Sequence, residues 1–307
     1  MTHLSTYVSV IGFAATSSTM LIANKMTVHF LPSASFILFL QVCFTAVMIA
    51  FLSCIGLVEL SFAKRDAMRF FPVAVGILSC MYFNMRVLEH SNVETFIVFR
   101  STTPFVIGTL EWLLLDRLFP KAQSLVAMFV VTCGCVAYAM LDASFRVDAY
   151  LWVAGWYAVF CFDQLYIKHA VDTSEIENWT RVFLANGWAA LLLVPLVAIN
   201  PPSAKRLHVM EVQISLVVSC LIGFAISYFA FACRSQVSAT TFSVVGNACK
   251  LLTILLNYLI WEHHASVEGI AALCVCLLAS FAYKEAPKRS AVAKSEFAPL
   301  AQRLASL

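Results

Sequence analysis

Stretches of about twenty apolar residues follow one another along almost the whole 307-residue chain. Each is long enough to cross a hydrocarbon layer of roughly 30 Å as a helix. Ten such stretches are predicted, at 6–26, 34–57, 70–88, 94–115, 122–141, 149–169, 179–199, 212–232, 239–261 and 265–284. Short polar breaks such as ELSFAKRDAMR and NPPSAKRLHVME separate them. Only 12% of the residues are charged, against roughly a quarter in soluble domains, and 61% are hydrophobic. A soluble enzyme and a secreted disulfide scaffold are excluded on that ground. The net charge of +3 is too small to single out nucleic acid as a partner. Membrane lipid is the expected solvent.

Basic residues set the sidedness. With both termini in the cytosol, thirteen Lys and Arg residues fall on the cytosolic side and five opposite, while Arg100 and Lys250 lie within spans. The first span lacks a basic leader and a small-residue exit, so it is expected to be retained. The sequon Asn178-Trp179-Thr180 falls on the cytosolic side and is expected to be unmodified. The polar tail 285–307 is expected to be disordered or to carry a sorting signal.

The eleven cysteines stand almost all inside apolar runs, with no CxxC pair, and read as small core residues. His263-His264 has no third ligand at zinc spacing, and neither a nucleophile elbow, an HExxH nor a phosphate-binding glycine loop is present. No metal, no cofactor and no enzyme activity are expected.

A shift of 146 residues lays the fourth stretch on the ninth: Thr95-Phe96 on Thr241-Phe242, Leu110 on Leu256, Asp116 on Glu262. The shift maps span n onto span n+5, and a unit with an odd number of spans inserts its second copy upside down. The expectation is an all-α polytopic membrane protein of ten helices in two inverted five-helix repeats, 1–145 and 146–284. Substrate would lie near the midplane between the halves.

Charge inside lipid is the strongest functional signal. Arg100 lies about a third of the way along the fourth stretch and Lys250 near the middle of the ninth. Each costs about 2.5–3.5 kcal/mol on insertion scales at a helix centre. In the repeat frame they sit on matching helices, four residues apart, so two cations converge on one cavity. A phosphate or diphosphate is their natural ligand; pairing with Glu111 or Asp163 is the alternative. Pro104 would loosen the helix beside Arg100, and Gly246 and Asn247 lie about a turn before Lys250. Ser227, Tyr228 and Asn186 add polar and aromatic groups, and Tyr166 reads either as an interfacial aromatic or as a ligand contact.

The strings HSNVETFIVFRSTTPF (90–105), DQLYIKH (163–169) and IGFAISYFAFACRSQVSATTFSVVGNACKLLTILLNYLIW (222–261) resemble the nucleotide-sugar transporters of the drug/metabolite transporter superfamily, nearest in look to the GDP-mannose/GDP-fucose branch of the Golgi membrane. The resemblance implies exchange of a nucleotide sugar for a nucleoside monophosphate. It places Gly246 and Lys250 in a ninth-helix motif whose asparagine is replaced here by Cys249 and whose preceding tyrosine is Phe242. Ser227 matches a nucleotide contact. The seventh-helix motif linked to guanine recognition reads Phe183-Leu184-Ala185-Asn186, agreeing at its first and last positions. Other nucleotide sugars, sugar phosphates, or a non-transporting scaffold of the same fold remain alternatives, and a homodimer is left open.

Overall fold

The computed structural model describes residues 2–90, 93–115, 117–119, 121–141, 147–202, 204–247, 249, 275, 278–279 and 282. The tail, most of the tenth expected span and the ninth beyond residue 249 lie outside the described residues. Within them the chain forms α1 (Thr2–Phe30), α2 (Ala34–Cys54), α3 (Lys64–His90), α4 (Val93–Leu114), α5 (Ala122–Leu141), α6 (Val147–Thr173), α7 (Asn178–Ile199), the one-turn α8 (Ala204–Leu207) and α9 (Met210–Gln236). Helix resumes over 239–247. The first eight expected spans thus correspond to α1–α7 and α9, with α8 a turn in the connection before α9.

Helix is dictated by solvent. In hydrocarbon every backbone N–H and C=O must be satisfied within the chain, and an apolar helix does this without help. Among the described residues, five helices are long and apolar enough to cross a membrane: α1, α2, α3, α7 and α9. The central α6 is not among them; its Trp and Tyr side chains and the Asp163-Gln164 pair lower its mean hydropathy. α1 carries many hydroxyls, yet Ser9, Thr16, Ser18 and Thr19 each donate to a carbonyl one turn earlier, at 2.7–2.9 Å. A polar residue bonded this way needs no water.

Several helices overrun the lengths expected from apolarity. α3 starts at Lys64 rather than 70, and α9 runs on to Gln236 rather than 232. An apolar ruler counts only residues in hydrocarbon, whereas helices continue into the interface or into buried polar contacts.

α1 packs on α9, α2 on α7 and α9, α3 on α6 and α7, and α4 on α5 and α6. Gly12 sets the α1–α9 approach, because a Cβ there would lie 2.5 Å from the Phe229 ring. Phe70, Ile167, Ala185 and Phe231 fill one core between α3, α6, α7 and α9, and Trp156, stacked on Phe160 at 4.8 Å, fills a second with Ile107 and Val87.

Among the described cysteines, Cys161, Cys220, Cys233 and Cys249 are buried, and none is in a disulfide. Of the thirteen basic residues counted on the cytosolic side, Arg117 and Lys168 are buried and Arg234 is half-buried.

Candidate functional site

The site is built where α4 crosses the helical segment 239–247. Pro104 has no N–H to give the Arg100 carbonyl, and the hydroxyl of Thr103 takes that role, donating to Arg100 O at 2.7 Å. Having one proton, Thr103 must accept in its contact with the Ser243 hydroxyl, 2.9 Å away. α4 stays helical through the proline. The expected loosening is absent because the hydroxyl replaces the missing donor.

Asn247 Nδ2 donates to Ser101 O at 3.4 Å. Beside it, a Cβ at Gly246 would lie 3.6 Å from Arg100 Nη2. The guanidinium therefore rests against bare backbone. Its other face covers the Phe160 ring, 4.9 Å from Cζ to centroid. The Asn247–Ser101 and Gly246–Arg100 contacts each join positions 146 residues apart on the matching stretches. Arg100 lies within α4 as expected, while its expected convergence with Lys250 involves a residue outside the described ones.

Neither alternative acid pairs with Arg100 among the described residues. Glu111 is 2% exposed and closes the start of the 239–247 helix. Its carboxylate accepts Ala239 N–H at 2.9 Å, Thr240 N–H at 3.2 Å and the Thr240 hydroxyl, and Arg117 Nε lies 3.5 Å away. A helix terminus buried in lipid needs such a cap. Asp163 is buried too. Its Oδ2 accepts from Gln164 Nε2 at 3.4 Å while Oδ1 has no partner, and it faces Gly76 so closely that a Cβ there would lie 2.2 Å from Oδ1.

Arg234 is the cation that sequence reasoning missed. Standing between an apolar run and Ser-Gln, it looked like a loop residue. In the structure it closes the last turn of α9 and stacks over Phe242 at 4.0 Å. Its Nη2 donates to Gln164 Oε1 at 3.1 Å. The available signal was the five-residue break RSQVS, too short to carry a guanidinium clear of the helices. Lys168 stands one turn further along α6, donating to Arg234 O at 2.8 Å and paired with Asp172 at 2.8 Å.

Phe242 packs on Phe13 at 4.5 Å and carries Arg234 on its ring, so it joins the site. Ser227 is half-buried and its hydroxyl makes no hydrogen bond among the described residues. The other candidates make their contacts elsewhere. Tyr166 OH donates to Arg69 O at 3.3 Å. Tyr228 lies against Trp179 at 4.3 Å. Asn186 is buried and donates to Val182 O in its own helix at 2.8 Å. Lys250 lies outside the described residues, as do His263 and His264. Among the described residues no group of His, Cys, Asp or Glu could hold a metal ion.

No family model matches the chain. A crystal structure sharing 13% identity superimposes with a TM-score of 0.66 over 91% of this chain and 96% of its own, a likeness of fold. GDP-fucose transporter 1 of Arabidopsis thaliana is 31% identical over 298 residues, 93% of this chain and 87% of the relative. The GDP-mannose transporter GONST3 of the same plant is 30% identical, covering 97% and 83%. More distantly, the UDP-sugar transporter UST74c of Drosophila melanogaster is 22% identical over 90% and 76%. These likenesses run over nearly the full length of both chains, and the chain belongs to the nucleotide-sugar transporters, membrane carriers and not enzymes.

Proposed function

We propose that the chain is an antiporter that carries a GDP-sugar, of the mannose or fucose type, from cytosol to Golgi lumen and returns a nucleoside monophosphate. Both termini face the cytosol in this reading, and no cofactor is required because the gradient of the returning monophosphate drives uptake. The observation that carries it is the half-buried Arg100 guanidinium, its Nε buried without a partner and no acid paired with it among the described residues, lying against the bare backbone of Gly246. A cation so placed favours a phosphate, and a glycine admits a ribose or sugar ring to the backbone.

The architecture proposed is ten helices in two inverted halves, 1–145 and 146–284. Exchanging span n with span n+5 turns the α1–α9 contact into α6–α3 and the α2–α9 contact into α7–α3, and all four contacts occur. That symmetry supports alternating access by rocking one half on the other.

In the working arrangement Lys250 and Arg100 neutralise the diphosphate. Asn247 bonds a substrate hydroxyl, Ser227 and Asn186 meet the nucleoside, and Tyr228, Tyr166 and Phe242 line the approach. Asn186 now spends its donor within its own helix, so it reaches a base only after a side-chain rotation. That, with the UDP-sugar relative, favours one second reading: a carrier for a different nucleotide sugar.

Proteoliposomes preloaded with GMP, UMP or inorganic phosphate test this. Labelled GDP-mannose or GDP-fucose is expected to enter the GMP-loaded vesicles, and Arg100→Ala and Lys250→Ala are each expected to slow entry about tenfold or more. Exchange driven by UMP alone would move the substrate to a UDP-sugar, and phosphate alone to a sugar phosphate. A protein silent under every preload would be a scaffold.

A further inference from the structure

Two guanidiniums bridge the same pair of helices one turn apart. Arg100 touches Phe160 of α6 and Gly246; Arg234 touches Gln164 of α6 and Phe242. Phe160 and Gln164 are i, i+4 on α6, and Gly246 and Phe242 are i, i+4 in reverse order on the 239–247 helix. The contacts thus form two rungs between antiparallel helices, separated by about 5–6 Å, the spacing of neighbouring turns on one face. Arg234 also lies within electrostatic reach of Arg100 and Asp163.

These like charges are not neutralised from within. No described carboxylate forms an ion pair with either guanidinium. The Nε atoms of both, and Asp163 Oδ1, are buried without a partner. Gln164 explains the gap: its amide oxygen accepts from Arg234 while its amide nitrogen donates to Asp163. A neutral amide holds acid and base apart and leaves each partly unsatisfied. Unpaired buried charge is costly, and two cations a turn apart match two linked phosphates.

We infer that Arg234 is a second phosphate-binding cation of the substrate site, kept open for the anion by Gln164, which links it to Asp163 without letting the carboxylate neutralise it. The inference rests on the nucleotide-sugar reading and goes beyond it in assigning Arg234 and Gln164.

Binding to the full-length protein in detergent, measured with GDP, UDP and CMP and with their uncharged nucleosides, tests it. Arg234→Gln is expected to weaken nucleotide binding about tenfold or more while leaving nucleoside binding unchanged. Gln164→Glu should do the same, because it sets a carboxylate on Arg234; if Arg234→Gln fails to accumulate, this variant decides. Nucleotide affinity unchanged in either variant, or nucleotide and nucleoside affinity lost in equal proportion, overturns the assignment. A wild-type protein blind to all three nucleotides defeats the nucleotide-sugar reading itself and the assignment with it.

Discussion

Gly76 and Gly187 illustrate how differently one residue type is constrained in this bundle. A methyl at Gly76 would meet Asp163 Oδ1 at 2.2 Å, whereas at Gly187 nothing lies within 4 Å. Gly76→Ala is expected to destabilise by about 1–3 kcal/mol, the usual range for overpacking. Gly187→Ala should stabilise α7 by about 0.5–1 kcal/mol through helix preference. Thermal unfolding in one detergent compares the two, and equal midpoints would contradict the close approach at Asp163. Arg100 was legible in the sequence because one charge in an apolar run has few reasons to be there. Arg234 was not, since a charge at the edge of such a run looks the same whether it ends in water or inside. Tyr166 and Asn186 have suitable chemistry, but the side-chain direction that sends one to Arg69 and the other to Val182 depends on neighbours that spacing does not reveal.

The elements themselves were largely written in the chain. Eight of the ten expected apolar stretches appear as helices whose starts and ends differ from the apolar runs by a few residues. One overrun, at the end of α9, occurs where a polar group, Arg234, finds partners. The joint between α4 and the 239–247 helix was not foreseen, because Glu111 reads as an intramembrane acid awaiting a cation. It does meet a cation, Arg117 at 3.5 Å, but its hydrogen bonds come from two backbone N–H groups and a hydroxyl, which are invisible to a reading of side-chain charge. Glu111→Ala strands these donors and Arg117 together and is expected to cost about 3–5 kcal/mol. Glu111→Gln, which still offers an oxygen, should cost less. If both variants unfold at the wild-type temperature, the carboxylate is not closing that helix.

For the whole molecule, the contact between the Thr103 and Ser243 hydroxyls offers a way to stop motion between the halves. Oxygens 2.9 Å apart place the two Cβ atoms close enough for a disulfide after substitution by cysteine. Thr103→Cys combined with Ser243→Cys is expected to abolish nucleotide-sugar exchange under oxidant and regain it under reductant, while each single variant keeps exchanging. A crosslink found by mass spectrometry with exchange intact would mean that these two helices do not separate during transport.

The attachments of that helix pair are unequal in kind. At one end, a buried carboxylate grips several donors at once, in fixed directions. Further along, a single hydrogen bond from the Ser243 hydroxyl to that of Thr103 holds the pair. Beyond it, among the described residues, only the long Asn247 bond to Ser101 joins the pair, so in the rocking proposed above the Arg100 end is expected to part before the end held by Glu111.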